Sequence, residues 1–142
     1  AYAALKSEAE NLRLIDTSRI GAIGYCMGGG FVLEQARDGE DFKGVVVFHV
    51  TLPNPVDPNI KPNFKGRILA IHGSADSITP KEQMDALEEE LTTAGVDWQH
   101  FKFGNALHSF CVLGADSDTQ KYDEKLSRQS YRLMRDFFAN TF

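Results

Sequence analysis

Arg19-Ile20-Gly21-Ala22-Ile23-Gly24-Tyr25-Cys26-Met27-Gly28-Gly29-Gly30 is the stretch whose reading decides the fold. Arg19 to Cys26 has a short apolar core, Ile20, Ala22 and Ile23, and reads as a strand. A helix is predicted from Met27 to about Arg37, with Gly39 where a helix stop belongs. Between them lies Gly24-Tyr25-Cys26-Met27-Gly28, a cysteine with a glycine two residues to either side. A strand-to-helix turn this tight leaves no room for side chains on either flank, and it lifts the apex residue clear of the sheet's carboxyl end. A thiol at that apex also sits at a helix N-terminus, where free N–H groups and the macrodipole favour the thiolate. The plain alternative is a small buried apolar residue among glycines that merely permit close packing.

Outward from this turn the chain alternates. Tyr2 to Arg13 places Leu5, Ala9 and Leu12 at helical spacing. Gly44 to Val50 is a β-branched run suited to a strand covered on both faces, and Arg67 to His72 is another apolar strand. Between these two strands, residues 53 to 66 carry Pro53, Pro55, Pro58 and Pro62 and read as a loop. Thr79-Pro80-Lys81-Glu82 reads as a capping box opening a helix that Gly95 ends. Asp97 to Phe103 alternates as a strand. A loop runs to about Ser117, and a last helix turns Tyr122, Leu126, Leu133 and Phe137 inward.

This order predicts an α/β fold, a three-layer αβα sandwich of about four mostly parallel strands in one domain. A helix leads with no strand before it. The first strand is therefore expected at a bare, hydrophobic sheet edge, which pairing of two copies through that strand and the leading helix would cover.

Composition narrows the function. The chain has 142 residues, 42% hydrophobic and 25% charged, with a net charge of −5. That balance gives no reason to expect nucleic acid or an anionic membrane as partner. No apolar run approaches the roughly 20 residues of a membrane span. Ala1 to Glu10 is polar and helix-like, so no signal peptide is read there. Two cysteines make no disulfide framework, so a cytoplasmic setting is the default expectation.

Two further residues join Cys26. Asp76, in Ile71-His72-Gly73-Ser74-Ala75-Asp76, follows a strand end and precedes a helix, the place from which an acid reaches an imidazole above the sheet. Taken alone it reads somewhat more often as a turn aspartate. His108, in Gly104-Asn105-Ala106-Leu107-His108-Ser109-Phe110, lies on the loop after the last strand, where a base able to reach over the strand ends is expected to be flexibly held. Taken alone it is equally a surface histidine. Nucleophile, acid and base in that chain order, each at a strand's carboxyl end, point to acyl transfer.

Gly24-Tyr25-Cys26-Met27-Gly28-Gly29, His72-Gly73-Ser74-Ala75-Asp76, the Gly104-to-Phe110 stretch and Tyr131-x-x-Met134-x-Asp136-Phe137-Phe138 together resemble the dienelactone hydrolase family of α/β-hydrolases. The likeness runs from about Ile15 to the last residue. It implies a hydrolase of small ester or lactone substrates with Cys26 as nucleophile, His108 as base and Asp76 as its orienting acid. It implies an oxyanion donor in the Met27 N–H, and substrate-facing positions at His49, Tyr25 and Phe110. By spacing alone His49 reads as a structural strand-end residue. Family members carry further N-terminal strands, so the chain is expected to be a C-terminal portion of the fold. Its alternatives are a catalytically weak scaffold, or a thioesterase or general carboxylesterase.

No metal and no cofactor is expected. The cysteine and histidine intervals fit no structural zinc pattern, and the glycine run lacks the Lys-Ser/Thr pair of a phosphate loop. Cys111 reads as a packing residue, and Glu88-Glu89-Glu90 as a solvated helix face.

Overall fold

The computed structural model describes residues 2–12, 15–52 and 61–142. The expected Arg13 helix end and most of the proline-rich loop, including Pro53, Pro55 and Pro58, lie outside them. In chain order the elements are α1 (Tyr2–Leu12), β1 (Gly21–Tyr25), α2 (Met27–Arg37), β2 (Gly44–Phe48), β3 (Arg67–Gly73), α3 (Lys81–Thr93), β4 (Trp98–Phe103) and α4 (Glu124–Ala139). The four strands form one sheet in the order β1-β2-β3-β4, all parallel.

The β-branched run of β2 and the apolar run of β3 occupy the middle of the sheet, so successive side chains serve opposite faces. Val45, Val47, Ile68 and Ala70 face Leu33 and Ala36 of α2 and Met84, Leu87 and Leu91 of α3. Val46, Phe48, Leu69 and Ile71 face Leu126, Tyr131, Met134 and Phe137 of α4, with Phe103 and Phe110. The result is the three-layer αβα sandwich. The strand β1 is an edge, and its Ile23 is 43% exposed. In α1 the expected apolar stripe lies open, with Leu5 71% and Leu12 53% exposed.

Several local expectations are corrected. The strand predicted as Gly44 to Val50 stops at Phe48, because His49 takes a positive φ of 34° and leaves the pleat. Thr79 does not cap α3. Pro80 occupies the N-cap, the Thr79 N–H donates to Asp76 Oδ1 at 3.1 Å, and Thr79 itself is buried. Tyr122 precedes α4, whose cap is Asp123: its carboxylate accepts the Leu126 N–H at 2.9 Å, a bond worth about 1 kcal/mol. The Glu88–Glu90 run is not simply solvated. Glu90 holds the buried Arg37 guanidinium at 2.6 and 2.8 Å, and Glu88 pairs with His100.

Candidate active site

The turn at the end of β1 holds Cys26 at φ 51° and ψ −128°, a conformation an L-residue adopts only under constraint, as the N-cap of α2. The constraint is visible at Gly24, where an added Cβ would lie 2.4 Å from the Cα of Gly29. Gly29 in turn packs against Val50, with a Cβ there 3.1 Å from Cγ2. The sequence pattern predicts the same crowding at Gly28, and this is corrected: a Cβ there meets nothing within 4 Å. The glycines the turn needs are Gly24 and Gly29. Cys26 is partly exposed, between Tyr25 and a Met27 side chain that is 61% exposed.

Asp76 and His108 come from neighbouring strand ends that are strapped together. Beyond β3 the Ser74 N–H donates to the Phe103 carbonyl at 2.8 Å and the Ala75 N–H to the Ala106 carbonyl at 3.0 Å. A Cβ on Gly73 would stand 2.3 Å from that Ala106 oxygen, so only glycine lets the two loops cross. The loop carrying His108, expected to be flexibly held, is tied down by hydrogen bonds along its length. The His108 N–H donates to the Thr119 carbonyl at 3.2 Å, the Lys121 N–H donates to the His108 carbonyl at 3.0 Å, and the Asp123 N–H closes back onto the Phe110 carbonyl at 2.9 Å. Ser109, at φ 59°, donates its hydroxyl to Gln120 Oε1 at 2.9 Å. Such a bonded loop presets the imidazole.

Three side chains meet as a result. His108 Nε2 lies 3.2 Å from Cys26 Sγ, and His108 Nδ1 lies 2.7 Å from Asp76 Oδ2. The other Asp76 oxygen accepts the Ile78 and Thr79 N–H groups at 2.9 and 3.1 Å, so this residue is a turn aspartate and an imidazole partner at once. His72 Nε2 donates to the Thr79 carbonyl at 3.1 Å and stands 3.5 Å from Asp76 Oδ2.

The electrostatics follow from these partners. Burial resists the Cys26 thiolate, yet hydrogen bonds from Thr51, His108 and the Met27 N–H outweigh it and hold the thiol below its ordinary value. Burial likewise opposes charge on His108, but Asp76 and Cys26 raise its pKa. Asp76 is lowered: bonds from His108 and the Thr79 N–H overcome its desolvation. The arrangement favours a thiolate–imidazolium pair.

The remaining predicted residues sit around this line. His49 and Phe110 are both 0% exposed, so they form the floor and have no surface open to a ligand here. The His49 ring lies edge-on to His108 at 4.8 Å and to Phe110 at 5.3 Å, and its Nε2 is 3.1 Å from Cys111 Sγ. Tyr25 stacks on Phe48 at 4.7 Å and reaches Tyr131 through their hydroxyls at 3.3 Å.

Thr51 escaped the sequence reading. Its Oγ1 stands 3.4 Å from Cys26 Sγ, and its only sequence signal is a position just past the end of β2. Among the described residues no group of three or more His, Cys, Asp or Glu side chains could hold a metal ion, and no helix is long and apolar enough to cross a membrane.

Comparison with known proteins gives this geometry a context. The chain is 30% identical over 132 residues to an uncharacterized protein of Caenorhabditis elegans, covering 90% of this chain and 84% of that one. It is 29% identical over 96 residues to the hydrolase tropI of Talaromyces stipitatus, covering 68% of this chain and 36% of the relative. Among solved structures, a dienelactone hydrolase-like promiscuous phosphotriesterase from metagenomic libraries superposes with a TM-score of 0.85 at 33% identity. That match covers 90% of this chain and 54% of the other. Another, m3DLH, gives 0.84 at 34% identity, covering 99% of this chain and 62% of the other. The chain thus spans about half to three-fifths of the length of these solved relatives. Residues 2–142 match the dienelactone hydrolase family as a whole, and the chain belongs to that family.

Proposed function

We propose that this chain cleaves small ester or lactone substrates through a thioester acyl-enzyme. The observation that carries the reading is the unbroken line from Cys26 Sγ through the His108 ring to Asp76, at 3.2 and 2.7 Å. The thiolate attacks the carbonyl carbon and forms an S–C bond, while the carbonyl π pair moves onto oxygen beside the Met27 N–H. As the adduct collapses, His108 Nε2–H gives its proton to the departing alkoxide. Water then attacks the thioester, His108 takes the proton released, and the C–S bond breaks to restore the thiolate. Asp76 holds Nδ1–H throughout and so fixes the tautomer. A thiolate formed in the resting site needs little general-base help, so activated esters and lactones are favoured over amides, whose leaving groups demand more acid assistance.

Mixing the chain with p-nitrophenyl acetate tests this. The expected result is a stoichiometric burst of p-nitrophenol, with the acetyl group recovered on the Cys26 peptide by mass spectrometry and then lost by hydrolysis. Acetyl groups on Cys111 or on lysines alone would overturn it. Because the chain spans only part of its solved relatives, a second reading stands beside the first: a scaffold that acylates once and turns over poorly. A burst without a steady state would select it.

The uncovered edge of β1 and the open stripe of α1 support one assembly proposal, that two copies pair through them. Light scattering that gives the monomer mass at high concentration would overturn it.

A further inference from the structure

Three groups surround the Cys26 sulfur: the Thr51 hydroxyl, the His108 Nε2 and the Met27 N–H. They do not share one fate during acyl transfer. His108 must keep its proton for the leaving alkoxide, so it is committed elsewhere when negative charge moves from sulfur to the carbonyl oxygen. The Met27 N–H and the Thr51 hydroxyl remain. That oxygen hangs from the carbon bonded to sulfur, within reach of a hydroxyl that already touches sulfur at 3.4 Å and rotates freely about its C–O bond.

We infer that Thr51 is a catalytic residue, its hydroxyl holding the thiolate at rest and then donating to the oxyanion together with the Met27 N–H. The inference rests on the hydrolase reading above. No proton is transferred in this step: the O–H hydrogen bond moves from sulfur to oxygen as the S–C bond forms, and no other bond at Thr51 changes. The position of Thr51 does not depend on its hydroxyl. Its N–H donates to the Cys26 carbonyl at 3.0 Å, an oxygen that also accepts the Gly29 N–H at 3.0 Å, so the residue is pinned to the turn through its backbone. Thr51→Val keeps that anchor and the side-chain shape while removing the donor.

Two reactions at the same sulfur separate the roles. Acylation by p-nitrophenyl acetate builds an oxyanion. Alkylation by iodoacetamide displaces iodide at a saturated carbon and builds none. Measured across pH and compared per thiolate, Thr51→Val is expected to slow acylation about 100-fold, the loss typical of one oxyanion donor. Alkylation per thiolate stays near the wild-type rate, Thr51→Ala shows the same split, and Thr51→Ser restores acylation. If acylation and alkylation fall in equal proportion, or Thr51→Val acylates like the wild type, the inference is overturned while the hydrolase reading stands. A wild-type chain that is alkylated at Cys26 but never acylated there overturns both.

Discussion

Two cysteine–histidine pairs sit against one another at the carboxyl end of the sheet, Cys26 with His108 and Cys111 with His49. Their separations are nearly the same, 3.2 and 3.1 Å, and the two imidazoles touch edge to face. Their pKa shifts run in opposite directions. In the first pair the thiol is lowered and the histidine raised. In the second, burial pushes the Cys111 thiol up to about 12 and, with repulsion from His108, brings His49 down to about 4. Contact distance therefore does not make a reactive dyad. What differs is the surroundings: His108 has the Asp76 carboxylate on its far nitrogen, and Cys26 has the Met27 N–H and the Thr51 hydroxyl. For Cys111 and His49 burial is the largest influence, and burial favours the neutral forms.

The comparison breaks most visibly in turnover. Cys26→Ala is expected to lower ester hydrolysis by at least about 1,000-fold, as loss of a nucleophile does. Cys111→Ala leaves it within about threefold, since its neutral thiol takes no part in the chemistry. Equal losses in p-nitrophenyl acetate assays would mean the pairs had been misassigned. Asp76→Asn should make the first pair resemble the second. His108 then loses its charged partner, the Cys26 thiol titrates higher, and kcat falls about 100-fold, short of the serine-enzyme loss because the thiolate forms more readily. Absorbance of the thiolate followed against pH reads the titration directly.

The two histidines also shift stability in opposite directions. His49 stays neutral in the folded chain down to about pH 4, whereas in the unfolded chain it takes up a proton near 6.5. Between those values the unfolded state binds more protons, so stability falls as pH falls, by on the order of 3 kcal/mol across the window. His108 is raised, so its contribution is complete below about 6.5 and is lost as pH climbs through its folded value. Urea unfolding at pH 4 to 7 should show a smaller acid-side loss in His49→Asn than in the wild type. Identical pH slopes would refute the neutral assignment. Cys111→Ala also acts on folding: it leaves the buried His49 Nε2 without its partner and costs about 1–3 kcal/mol.

What the sequence revealed about these pairs follows from how local each signal is. The strand, turn and helix around Cys26 are written in adjacent residues, and Met27–Arg37 forms the helix its spacing predicts. Asp76 and His108 were findable because each follows a predicted strand, one apolar and one alternating, and the parallel sheet brings strand ends to one rim. Thr51 was missed because a threonine two residues past His49 carries no motif, and only the crossing of two chain segments sets it beside the sulfur. The Thr79 cap failed for a different reason: Asp76, only three residues earlier, forms a competing local turn that takes the Thr79 N–H a capping box leaves to Glu82. The buried pairing of Glu90 with Arg37 joins residues 53 apart in the chain, which no charge run can disclose. Gly28 shows the reverse case, a residue that fits the expected pattern without the steric need that motivates it.

The most direct measurement is site-resolved alkylation of the native chain by iodoacetamide across pH, with each cysteine quantified by peptide mass spectrometry. Cys26 should react first, with a midpoint below the ordinary thiol value, while Cys111 stays unmodified until denaturant unfolds the chain. Preferential labelling of Cys111, or equal labelling of both at ordinary thiol pH, would contradict the account.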